Sequence, residues 1–218
     1  MATSGSRDFN IDVGEIIEEA YERCGLEVRT GYDARTARRS LNLMFADWAN
    51  RGINMWTVAQ GTITLTQGQA TQTLTADVVD VLEIVLRRSN TDYEVERISR
   101  GEYATLPNKT TQGRPSQFWF NRQIDPVINL WAVPENSTDQ LIYYYVQRIE
   151  DADTLVNTTD MPFRFYPCMV AGLAYYIAMK RAPERIQLLK SVYEEEFQRA
   201  SDEDEDRVPL KLQPSIQY

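Results

Sequence analysis

Apolar residues recur at helical spacing towards both ends of this 218-residue chain and at strand spacing in the middle. Near the start, Val13, Ile16, Ile17, Ala20, Tyr21 and Cys24 form one such stripe. Asp12 stands just before it and Glu15 three residues on, the capping-box pattern of a helix start. Gly25 is the expected stop. A second helix is predicted from Asp33, with Ala37, Leu41, Met44, Phe45 and Trp48 on one face and Gly52 at its end. The period then changes. Residues 62–66 alternate, Gly68 supplies a turn, and residues 71–74 alternate again, which predicts a β-hairpin. Strands follow over 81–86 and 93–95 with a turn near Asn90, and a short helix over 99–106. Beyond a polar loop at 109–115, residues 117–120, 127–133 and 141–147 read as three aromatic-rich strands. Their separators, Asp125-Pro126 and Pro134-Glu135-Asn136, are turn chemistry.

Helical spacing returns at Asp160, with Pro162 in the first turn. Val170, Leu173, Ala174, Ile177 and Ala178 make a wide apolar face. Pro167 requires either a separate turn ahead of the main helix or a kink. Pro183 restarts a last helix with Ile186, Leu189, Tyr193 and Phe197 on one side. The expected organisation is a helix pair (1–52), a β-rich insert (53–150), a second helix pair (151–206) and an extended C-terminal arm (207–218). The corresponding fold class is α+β: an antiparallel four-helix bundle with an inserted antiparallel β-sandwich or barrel-like domain.

Composition narrows the function classes. There is no histidine, which removes the commonest general base and metal ligand, and with it His-dependent triads and His-ligated zinc. Cys24 and Cys168 stand alone on predicted apolar faces, so the expectation is two reduced core thiols and no thiolate metal site. Glycine-lysine phosphate loops, dinucleotide fingerprints and nucleophile elbows are all missing. No cofactor is expected. Carboxylates alone suffice for glycoside hydrolysis, but none stands in a sugar-binding aromatic setting, and Asp125 serves a turn. The first residues carry no apolar signal core. The longest apolar stretch, 168–179, is shorter than the roughly 20 residues of a membrane span. The expectation is a soluble protein made in a cytoplasm, with no membrane partner.

Net charge is −9, of which residues 191–206 hold −7, so the rest carries only −2. An acidic total opposes tight general DNA binding. Arg35, Arg38 and Arg39 share a helix face. That face reads as a solvated surface, as a contact for DNA or an acidic partner, or as a partner for acids of a neighbouring subunit. The run Asp202, Glu203, Asp204 falls at a helix C-terminus, where the dipole disfavours acids. It reads as a solvated link, as early fraying into a tail, or as a contact for a basic partner. The arm after it places Val208, Leu210, Leu212, Ile216 and Tyr218 around two prolines, starting at Arg207. A segment so apolar after a charged link cannot bury itself alone, which points to insertion into a partner.

Three stretches carry a family resemblance. They are "IIEEAYERCG" followed by "ARRSLNLMFADWANRGINMWTV"; "GRPSQFWFNRQIDPVINLWAVPE"; and "DMPFRFYPCMVAGLAYYIAMKRAPERIQLLKSVYEEEFQRA". In this order the chain resembles the head-to-tail adaptors (connectors) of tailed bacteriophages, including the tail tubular protein A type of short-tailed phages. The resemblance implies a structural virion protein of the neck, made in the bacterial host, and no enzyme. It implies a ring, commonly of twelve copies, under the portal protein. The helices and the arm, here Arg207, Val208, Leu210, Leu212, Ile216 and Tyr218, would contact the portal. The opposite face would receive the tail nozzle or tube protein, and as a further expectation a tail fibre. Double-stranded DNA would pass through the lumen without specific binding. A carboxylate-dependent cell-wall hydrolase of the tail, or another neck or fibre-attachment component, is the alternative.

Overall fold

The computed structural model describes residues 5–6, 9–52 and 55–204. Two compact units emerge, one from Met1–Trp56 with Ile149–Tyr218, the other from Thr57–Arg148.

The first unit is helical. Helix α1 (Val13–Arg23) starts on a complete capping box: Asp12 Oδ1 accepts from the Glu15 amide at 2.8 Å, and Glu15 Oε2 from the Asp12 amide at 3.1 Å. Its first free amides, at Val13 and Gly14, donate to the carbonyls of Asn157 and Leu155, so none of these groups is left unpaired. Helix α2 (Gly31–Asn50) starts earlier than its apolar stripe predicts. Thr30 is the cap, and Asp33 is the third residue of a second capping box. Helix α4 (Tyr166–Arg181) settles Pro167: a single 3-10 turn, Phe163–Phe165, precedes the helix, and the proline sits in the first helical turn, where its missing N–H costs nothing. A similar turn, Pro183–Arg185, leads into α5 (Ile186–Glu203).

The expected antiparallel four-helix bundle gives way to a different packing. A bundle helix buries one stripe, but α4 buries every residue from Cys168 to Ala174. It is therefore a central helix, with α1, α2 and α5 each packed against it. The contacts fix the directions. Tyr166 bonds Asn10 at one end and Arg185 reaches the Arg23 carbonyl at the other, so α1 runs with α4. Arg181 pairs with Asp33 at 2.8 Å, and Arg164 pairs with Asp204, so α2 and α5 run against it. Gly172 allows the closest approach: a Cβ there would lie 2.4 Å from Met44 Sδ and 2.8 Å from the Tyr193 ring. Below it, buried Trp48 donates its indole N–H to Tyr193 Oη at 2.8 Å. Burial pushes the Tyr193 phenol up, so it stays neutral and available as acceptor.

The second unit is one curled, mostly antiparallel sheet of seven strands, where a sandwich or barrel was expected. The strands are β1 (Val58–Thr64), β2 (Thr71–Thr73), β3 (Val78–Arg88), β4 (Thr91–Arg97), β6 (Gln117–Asn121), β7 (Val127–Trp131) and β9 (Gln140–Gln147). A separate pair joins β5 (Gln112–Gly113) to β8 (Val133–Pro134). The sheet order is β1-β9-β3-β4-β6-β7-β2. One core, with Leu65, Val81, Leu86, Phe118, Ile128 and Leu141 among its members, draws on strands across the sheet. Register shifts in β3 at Val78/Asp80 and Val81/Glu83 bend the strand, as β-bulges do.

The predicted hairpin over 62–66 and 71–74 does not form. Its two arms occupy opposite edges: β1 pairs with β9, and β2 with β7. Alternation specifies a strand, not its partner, and the turn at Gly68 is spent on a chain reversal whose amide bonds the Pro134 carbonyl. The short helix, α3 (Arg100–Thr105), lies on the crossover between β4 and β6, the parallel pair within the sheet. Parallel neighbours require such a crossover.

Candidate functional site

The carboxyls of Asp33, Asp92 and Glu102 lie below the usual carboxylate range, held there chiefly by Thr30, Arg87 and Ser99 respectively. That direction suits caps and ion pairs, and is opposite to what a general acid needs. Cys24 and Cys168 are both free and buried. Burial pushes the Cys168 thiol up to about 12 and raises that of Cys24, so neither is an activated nucleophile. Among the described residues there is no group of three or more His, Cys, Asp and Glu side chains placed to hold a metal ion, and no helix is long and apolar enough to cross a membrane. Three surfaces are the functional candidates.

The arginines of α2 divide. Arg38 donates to the Asp153 carbonyl and is engaged in its own fold. Arg35 and Arg39 are exposed. Arg39 acts with Arg181 on Lys180, whose ammonium is held below its usual range first by burial and then by these like charges. Lys180 donates to Ser40 Oγ at 2.5 Å. The result is a cationic surface across α2 and α4, favourable to an anionic partner.

The acidic end of α5 divides likewise. Asp202 accepts from Gln198 at 2.6 Å, and Glu203 is the last helical residue. Asp204 turns inward: its side chain is 4% exposed and pairs with Arg164. The arm residues Arg207, Val208, Leu210, Leu212, Ile216 and Tyr218 lie outside the described residues.

A third surface was not singled out in the sequence. Between α1 and the start of α4 runs an open groove of about 630 Å³. Phe9, Ile11, Phe163, Tyr166, Pro167 and Val170 give it an apolar floor, and Glu15, Glu18, Glu19 and Glu22 an acidic wall. Phe9 and Phe163 are 77% and 78% exposed. Two large exposed rings in one groove mark a contact site better than scattered apolar residues do. The signal was faint because Phe9 and Phe163 stand outside the periodic stripes, and the glutamates look like an ordinary solvated helix face.

Sequence comparison adds the following. The family model described as SU10 adaptor protein matches residues 11–213, which takes in both units. No curated protein matches the chain.

Proposed function

The chain belongs to the SU10 adaptor protein family, a structural part of the phage virion, and from that premise we propose that it is the ring-forming head-to-tail adaptor joining the portal to the tail nozzle or tube. The family match across both units carries this reading. The structure is compatible with it through its surfaces: an exposed cationic face, an acidic helix end and an aromatic groove.

In this reading Arg35 and Arg39 of one copy face Asp202 and Glu203 of the next. Arg38 and the nearly buried Asp204 are held within their own subunit, while Asp202 and Glu203 are exposed at the helix end. The arm from Arg207, with Val208, Leu210, Leu212, Ile216 and Tyr218, engages the portal. DNA passes through the lumen, where a net charge of −9 disfavours adhesion to phosphate. The test is deletion of residues 207–218, followed by mixing with the portal ring of the same phage. The expected outcome is a subunit with unchanged helical signal that no longer joins the portal. Docking as tight as that of the full chain overturns the role of the arm.

A further inference from the structure

We infer that the acidic aromatic groove between α1 and the start of α4 is the docking site for this chain's own C-terminal segment, residues 207–218, in the isolated subunit. Three observations converge on that occupant.

The first is position. Helix α5 ends at Glu203, and Asp204 pairs with Arg164. Arg164 is the chain neighbour of Phe163, which lines the groove. The helix therefore ends beside the groove. Val208 is four residues further on and Leu212 eight, a reach of roughly 13 to 26 Å for extended chain. Both are within range of a groove that begins one residue from the Arg164–Asp204 pair.

The second is charge. The wall holds four glutamates and one cation, Arg23, which is already paired with Glu19 at 2.9 Å. Glu18 and Glu22 are like charges one helical turn apart, and among the described residues no cation pairs with either. Such a pair is mildly destabilising to its helix. The segment from Arg207 to Tyr218 carries Arg207 and Lys211 and no acidic side chain.

The third is apolar pattern. Val208, Leu210 and Leu212 alternate with Pro209 and Lys211. An extended chain presents alternate side chains to one face, so Val208, Leu210 and Leu212 would share the face suited to the Phe9, Phe163 and Tyr166 floor, with Lys211 on the other. Tethering makes the contact intramolecular, with a high effective concentration that favours the chain's own segment over that of another copy. The groove thereby holds the segment until a portal competes for it; that consequence, unlike the docking, rests on the reading above.

Trypsin cleavage after Arg207 and Lys211 of the full chain tests this, because cleavage of a docked segment follows the population of its open form. The reference is a free peptide of residues 204–218. The full chain is expected to be cut at these two sites at least about tenfold more slowly than the peptide. Two variants at exposed positions, the double substitution E18Q/E22Q and the single Phe163→Ser, should each move the rate towards that of the peptide with no change in helical signal. The rate should not depend on protein concentration. Cleavage at the peptide's rate overturns the inference, as does protection that survives in both variants. Protection that grows with concentration as a dimer forms also overturns it, assigning the segment to a second copy. Portal is absent throughout, so the outcome does not depend on the adaptor role.

Discussion

Gly172 is where a single hydrogen atom decides the packing of the helical unit. With Met44 and Tyr193 within 3 Å of any added Cβ, a larger residue must push α2 or α5 away from α4. The improved helix propensity, a few tenths of a kcal/mol for valine over glycine, does not offset overpacking. Gly172→Val should lower stability by about 2–3 kcal/mol, read as a fall in the denaturant midpoint. The thiols make a second residue-scale case. Burial holds Cys168 protonated up to about 12, while an unfolded thiol ionises near its ordinary value of about 8.5. The folded form therefore binds the proton more tightly, and stability from this group falls as pH rises through that window and is unaffected below it. A disulfide-exchange reagent at pH 8 should label neither Cys24 nor Cys168 in the native protein and both after denaturation. Fast labelling in the folded state would show that the core is not closed around them.

Among elements, the local signals proved legible and the distant ones did not. The capping box at Asp12, the stop at Gly25 and the proline-led start of α5 are encoded within four residues and can be read directly, whereas the box at Thr30 lies ahead of the apolar stripe that predicts a start at Asp33, and α4 begins at Tyr166, after the start expected at Asp160. Strand partners are not encoded that way. Residues 62–66 and 71–74 look like a hairpin, yet β1 finds β9 and β2 finds β7, because the sheet's core selects partners across the whole unit. The packing of α4 was hidden for a related reason: its wide apolar face was read as one stripe, whereas its buried run encircles the helix. One tie across distant elements is open to test. Arg88, at the end of β3, grips Asp139 at 2.7 Å, and Asp139 is 3% exposed. Arg88 also pairs with Glu135 at 2.8 Å. Asp139→Ala should cost about 2 kcal/mol, below the value for a fully buried pair because Arg88 keeps Glu135 and some water. A change within a few tenths of a kcal/mol in the thermal midpoint analysis would show that the tie is incidental.

At the scale of the whole molecule, what could be read from sequence differed between the candidate surfaces. The arginine face and the acidic run were visible as charges, but composition could not show that Arg38 and Asp204 are already committed within the subunit. The groove was invisible because it is made by residues far apart in the chain, Phe9 and Phe163, which only folding brings together. Membership of an adaptor family implies association with other head or tail components of the phage, and these three surfaces are the candidates for it. The most direct measurement of that role is the mass and cryo-EM image of the full chain mixed with the portal ring of its own phage. The account predicts a closed ring of this chain seated on the portal, with the arm from Arg207 against it. A mixture in which portal and chain remain separate at high concentration would contradict it.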